Sequence, residues 1–286
     1  MNKINKKLKE LASRKEGALI IGTVPGYPDL ETSFEIVKKI VNSGADILEF
    51  SSSFSNPIFD GPVLANAHQK VLYSGITKKQ IFDFYKKITI YFDMPIFVAE
   101  YVNIIYEIGL DKYFKLMKKC GIDTLIIPDI PLEELELFYN SALKNNVNLV
   151  LIITPISSEK NIKFIIKKSK VFVYCILSTG VTGTRKHVSS TAIHFIKHVK
   201  KIVKLPLIAG FGISYPKHIE VLSKCGIDGF VTCSKIIEII NENLSNKKNM
   251  MDDLEIYIKS MKQATMEKNK LVKFKIKNRG QEFWRF

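Results

Sequence analysis

Eight short apolar runs, each followed by a stretch with helical periodicity, constrain this 286-residue chain more than any other feature. The runs cover residues 18–24, 46–50, 95–99, 123–127, 148–153, 171–177, 206–209 and 228–232. Most are near-continuous Ile, Val, Leu and Phe, the form taken by strands that are buried on both faces. Helical patterns follow at 31–43, 63–72, 78–90, 110–119, 132–145, 159–168, 189–203 and 216–224, and helices continue after the eighth run to about residue 268. Strands alternating with helices predict an α/β fold with a parallel sheet. Eight such units fit a closed (β/α)8 barrel, the TIM barrel, better than an open sheet, and about 250 residues is a common length for one.

No shift in composition marks a domain boundary. Residues 1–268 read as a single barrel domain, and residues 269–286 as a basic tail of unknown order ending in QEFWRF. An extra N-terminal helix over residues 3–14, with Ile4, Leu8 and Leu11 on one side, is expected to cap the bottom of the barrel.

Composition excludes several classes of function. No apolar run approaches the ~20 residues that span a bilayer, and the basic N-terminus lacks the apolar core of a signal peptide. The expectation is a soluble intracellular protein with no membrane partner, in a cytoplasm or an organelle matrix such as a plastid. Cys120, Cys175, Cys225 and Cys233 follow no zinc or redox spacing. His194 and His198 share a helix face, but no acidic or cysteine pattern beside them completes a metal site, so no metal is expected. The formal charge of +15 is scattered over many helices without a nucleic-acid-binding signature. It argues against nucleic acid and would still attract a phosphorylated small molecule.

Two carboxylates stand out in the stretch ILEFSSSFSNPIFDGP, residues 47–62. Glu49 lies inside an apolar strand and Asp60 in the Ser/Pro/Gly loop behind it. A carboxylate so placed is costly to bury, and has a tuned pKa, a salt bridge or a ligand contact. In a barrel of this type the site lies at the C-terminal ends of the strands. There the chain carries Glu49, Asp60, Tyr174 within the sixth strand, and Gly180, Thr182 and Gly183 after it. Gly210 and Gly212 follow the seventh strand, and Ser234 opens the helix after the eighth. Glycine-rich turns together with a helix N-terminus offer inward-pointing N–H groups that suit a phosphate.

The motifs then carry a resemblance. ILEFSSSFSNPIFDGPVLANAH resembles the segment of tryptophan synthase alpha subunits that usually reads LELGxPFSDPxADGPxIQxA. YCILSTGVTGTR is similar to the family's tyrosine-then-GVTG segment, and LIAGFGIS and DGFVTCSKIIEII to its two phosphate-binding turns. GALIIGTVPGYPD and DTLIIPDIPLEE match in form and order, so that the resemblance covers about residues 1–265. It implies a carbon–carbon lyase that splits indole-3-glycerol phosphate into indole and glyceraldehyde 3-phosphate, with no cofactor in this chain. It further implies a pyridoxal-phosphate beta subunit that consumes the indole, in an alpha2beta2 tetramer. By motif, Glu49 matches the catalytic acid/base and Asp60 the carboxylate that holds the indole N–H. Tyr174 matches a tyrosine shaping the site, and Thr182 the residue holding Asp60 when the loops close. Gly183, Gly212 and Ser234 match phosphate contacts.

The chain also departs from the family pattern. Cys233 replaces a usual glycine, where a side chain could crowd the phosphate. Gly22 replaces a usual phenylalanine, which removes one apolar wall of the indole pocket. Ser51, Ser53 and Asn56 replace glycine, proline and aspartate in the loop that faces the beta subunit in the family. An arginine that some members carry after the sixth strand is absent. These changes leave two alternatives: an alpha-like partner that mainly activates the beta subunit, and a stand-alone lyase.

Overall fold

The computed structural model describes residues 2–177, 188–210 and 212–266. The chain opens with α1 (Lys3–Ser13), β1 (Ala18–Thr23), α2 (Leu30–Asn42) and β2 (Ile47–Ser51). It continues through α3 (Pro62–Tyr73), α4 (Lys78–Tyr91), β3 (Ile96–Ala99), α5 (Val102–Ile108), α6 (Leu110–Lys119) and β4 (Thr124–Ile126). Next come α7 (Leu135–Lys144), β5 (Asn148–Ile153), α8 (Glu159–Lys168), β6 (Val173–Ile176) and α9 (Ser190–Ile202). The last part is β7 (Leu207–Gly210), α10 (Pro216–Lys224), β8 (Gly229–Thr232), α11 (Ser234–Glu242) and α12 (Lys247–Met266).

The eight strands pair in chain order, every neighbour parallel, and β8 pairs with β1 to close the barrel. Helices are set by local signals. Asp29 caps α2 by accepting the Thr32 N–H at 2.8 Å, and Gly44, at φ +107°, turns the chain out of it. Thr77 and Gln80 form a reciprocal capping box at α4. Two helical details differ from the sequence reading. The seven-residue α5 lies in a stretch assigned to no element, too short to show a periodic pattern, and Gly109 separates it from α6. Residues 132–134 are a turn, so α7 starts at Leu135 instead of 132.

Side chains alternate in and out along each strand. One set, including Leu19, Ile21, Leu48 and Phe50, packs outward against the helices. The other set fills the barrel, with Ala18 and Ile20 of β1, Ile47 of β2, Phe97 of β3, Val150 of β5 and Ile208 of β7. Ile4, Leu8 and Leu11 of α1 join that inner cluster, so the extra helix plugs the bottom as expected. Asn2 ties it down twice. Its Oδ1 accepts the Ile4 N–H at 2.8 Å, and its Nδ2 donates to Asp123 Oδ1 at 2.6 Å and Thr124 Oγ1 at 2.8 Å.

Fully burying a leucine is worth about 1.5–3 kcal/mol, and truncation adds the cost of a cavity. Leu11→Ala is expected to lower the unfolding free energy by about 2–5 kcal/mol in denaturant titration. Lys9→Ala on the exposed side of α1 should stay within about 0.5 kcal/mol of wild type.

Candidate active site

The inward alternation of β2 runs from the barrel core to its mouth. Ile47 lies in the inner cluster, while Glu49 and Ser51 line a cleft at the C-terminal ends of the strands. The cleft is mostly apolar, with Ile126, Ile152, Tyr174, Val231 and Cys233 in its wall. Glu49 is flanked in register by Gly22 of β1 on one side and Phe97 of β3 on the other. Glu49 Oε2 is buried and meets no hydrogen-bond partner among the described residues. Burial, and then the charge of Asp60, push its carboxyl up to about 8. At neutral pH Glu49 is therefore mostly a neutral acid with a proton to give.

Asp60 reaches the same cleft from the loop before α3. Its N–H donates to the Pro57 carbonyl at 2.9 Å, which fixes the turn. Its Oδ2 accepts from the Tyr101 hydroxyl at 2.8 Å, and His68 Nε2 lies 3.3 Å from the same oxygen. The Tyr101 ring stacks on Phe54 of the same loop, centroids 4.9 Å apart. Neither Tyr101 nor His68 was singled out in the sequence. The signal for Tyr101 was parity, since Phe97, Ala99 and Tyr101 are alternate residues at the end of β3 and so point inward. Its neighbour Glu100 was also passed over. Glu100 is 2% exposed and accepts from the Tyr113 hydroxyl at 3.0 Å, and burial pushes it up to about 7.

Tyr174 sits in the cleft as expected, 5% exposed. Gly210, at the end of β7, makes room for it, since a Cβ there would collide with the Tyr174 hydroxyl. At the far end are Gly212, at φ +85°, Ser214 and Ser234. Ser234 is the first residue of α11, whose N-terminus has no side-chain cap. Its first-turn N–H groups and its dipole suit an anion. The Ser214 N–H is already engaged, donating to His218 Nδ1 at 3.2 Å. Gly180, Thr182 and Gly183 lie outside the described residues.

The two wall departures are one change. A Cβ built on Gly22 would come 2.7 Å from Cys233 Cβ and 2.9 Å from its Sγ. Cys233 thus occupies the space in front of Gly22, and the wall missing at one position is supplied from the other. At the end of β2 Ser51 lines the cleft, and in the loop that follows Ser53 Oγ is buried without a hydrogen-bond partner among the described residues and Asn56 is exposed. Among the described residues no three His, Cys, Asp or Glu converge as a metal site. No described helix is long and apolar enough to cross a membrane.

Two measurements check this geometry. Gly22→Ala is expected to destabilise by about 1–3 kcal/mol through overpacking. In a Cys233→Gly background the same change should be nearly neutral, a coupling readable from thermal or denaturant unfolding. The second concerns pH. Glu49 and Glu100, at about 8 and about 7, titrate above the ordinary 4.5, so between those values the folded chain keeps protons that the unfolded chain has released. Stability is then greatest near pH 5 and falls as pH rises towards 8, at up to about 1.4 kcal/mol per unit for each group. Glu49→Gln should flatten the upper part of that slope in unfolding titrations run from pH 5 to 9.

Comparison with known proteins agrees with this geometry. Residues 8–266 match the family model described as tryptophan synthase alpha chain. The chain is 34% identical over 253 residues to the tryptophan synthase alpha chain of Methanoregula boonei, covering 88% of this chain and 96% of that one. It is 35% identical over 264 residues to the tryptophan synthase alpha chain of a Thermoanaerobacter species, covering 92% of this chain and 100% of that one. In fold it is similar to the crystal structure of tryptophan synthase alpha chain from Legionella pneumophila. The TM-score is 0.85 at 24% identity, over 95% of this chain and 100% of that one.

Proposed function

The chain belongs to the tryptophan synthase alpha chain family, and on that premise we propose that it cleaves indole-3-glycerol phosphate to indole and glyceraldehyde 3-phosphate. The observation that carries the reading is the pairing of carboxyls in one apolar cleft. Glu49 is held neutral by burial, and Asp60 is held by Tyr101 beside it. The cleft ends at the uncapped N-terminus of α11.

The substrate phosphate takes the N–H groups around Gly212 and Ser234, with Gly183 as a further contact, and the indole ring lies among Tyr174, Ile126, Ile152 and Cys233. Glu49 gives its proton to indole C3, and positive charge spreads to the ring nitrogen. Asp60 accepts the indole N–H and stabilises that charge, and Thr182 holds Asp60 once the substrate is enclosed. Glu49, now a carboxylate, takes the proton from the hydroxyl on the carbon attached to C3. The C–C bond breaks as the aldehyde forms, and its electrons return to the ring to give neutral indole. One carboxyl both gives and takes a proton, so a pKa near neutrality serves each half-step.

The family implies a beta-subunit partner. We propose an alpha2beta2 assembly in which the pyridoxal phosphate belongs to the beta chain and this chain holds no cofactor. The exposed part of the β2 loop, with Asn56 and Ile58, is the side offered to the partner. The proposed catalytic domain is residues 1–268, with residues 269–286 a tail outside it, and the setting is the cytoplasm or an organelle matrix.

The test is indole release by purified protein, alone and with a beta subunit. Cleavage that rises strongly with the partner supports the reading. Glu49→Gln is expected to lower turnover by about 10²–10⁴-fold while the protein stays folded. A wild type that releases no indole in either condition sinks the proposal. Full turnover without the partner would make the chain a stand-alone lyase. Activation of the beta subunit by an otherwise inactive chain would make it only a binding partner.

A further inference from the structure

His68 is the buried group with the least obvious reason to be polar. It lies on the inner face of α3 with Leu64, Ala67 and Val71, and it is 0% exposed. Neither ring nitrogen has a hydrogen-bond partner among the described residues. A buried polar group left unpaired costs about 1–3 kcal/mol, so an apolar side chain of similar shape would make the fold more stable. Such an outlier calls for an explanation in function.

The ring is not aimed at random. Its Nε2 stands 3.3 Å from Asp60 Oδ2, close enough to bond but without the alignment a hydrogen bond requires. The same oxygen already accepts the Tyr101 hydroxyl at 2.8 Å. A carboxylate oxygen has two lone pairs, so Oδ2 can take both donors. Asp60 begins the turn into α3, with Gly61 as N-cap and Pro62 as the first helical residue, so the helix that carries His68 also carries its target.

We propose that His68 is a positioning residue for Asp60. As substrate engages, a small rotation of the carboxylate aligns Oδ2 with the Nε2–H. Tyr101 and His68 then fix Oδ2 from two directions, and Oδ1 is left facing the indole N–H. The imidazole's unmet hydrogen bond is recovered only when Asp60 adopts that orientation, which favours the bound geometry over the free one. The inference rests on the lyase reading above, because it is the indole N–H that Oδ1 serves.

The experiment is steady-state indole release by the full chain with a beta subunit, in four variants. His68→Leu removes the donor and keeps the bulk. It is expected to lower kcat/KM by about 10–100-fold, as small misplacements of catalytic groups do, with a Tm equal to wild type or higher. His68→Gln, which keeps an N–H donor at similar reach, should recover most of the loss. In an Asp60→Asn background His68→Leu should change the rate by less than about twofold, since the two groups act as one unit. His68→Met carries the same test if the leucine variant fails to fold. A folded His68→Leu or His68→Met protein with wild-type kcat/KM overturns the role of His68 and leaves the lyase reading intact. So does an equal loss with and without Asp60, which would mark a purely structural effect. A wild type that releases no indole overturns both.

Discussion

Closure of the barrel by β8 on β1 is the constraint on which everything else depends. Once the ring is closed, no strand can turn over, and every second residue must face a common axis. The inner column of each strand then has a defined order. It starts at the α1 plug, passes through a layer of Ile, Phe and Val, and ends at the mouth. On β2 that column is Ile47, Glu49 and Ser51, and on β1 it is Ala18, Ile20 and Gly22. Glu49 cannot move outward without moving Leu48 and Phe50 into the barrel and losing their contact with the helices. The protein can therefore keep a carboxyl in a dry place that it would otherwise leave.

That same constraint separates the two acids of the cleft. Glu49 is rooted in a strand, its Oε2 is buried without a hydrogen-bond partner among the described residues, and burial favours the neutral form. Asp60 arrives on a loop, where backbone and side chains can turn towards it, and it receives the Tyr101 hydroxyl. Among the described residues the buried oxygen of one acid lacks a hydrogen bond, while the other acid is supplied with one. Proton transfer and charge stabilisation call for these two different environments.

The strands, the barrel and the cleft at its rim were legible in the sequence because each rests on a local pattern: apolar runs, glycine turns, and carboxylates next to apolar residues. Glu49, Asp60, Tyr174, Gly212 and Ser234 converge on one cleft as those patterns suggested. What could not be read was pairing between distant positions. Gly22 and Cys233 are far apart in the chain, and each taken alone looked like damage. Only the closed ring brings β1 beside the end of β8, where one side chain fills the gap left at the other position. His68 and Tyr101 were missed for the same reason. Parity along β3 turns Tyr101 inward, but the contact both residues make with Asp60 Oδ2 is one that no spacing along the chain reveals. The short α5 failed differently, since seven residues cannot display a helical period.

The two ends of the barrel treat buried polarity in opposite ways. At the bottom, Asp46, Asp123 and Asp228 each precede a strand, and each is partnered. Asp46 accepts the Leu19 N–H at 2.8 Å and Lys262 Nζ at 2.8 Å, Asp123 accepts Asn2, and Asp228 accepts the Leu207 N–H and Lys200 Nζ. The unpartnered buried atoms among the described residues lie almost wholly at the other end, on Thr23, Glu49, Ser53, His68 and Glu100, with Ser223 the exception. Thr23, Glu49, Ser53 and Glu100 stand on the arc of the rim formed by β1, β2, β3 and the loops behind them, and His68 on α3 packs beside it. Each of these buried atoms has given up hydration without a hydrogen bond from another described residue, a cost that the apolar core does not carry. Helix α1 and the paired aspartates hold the ring closed from below, so the rim can carry that cost without opening the fold.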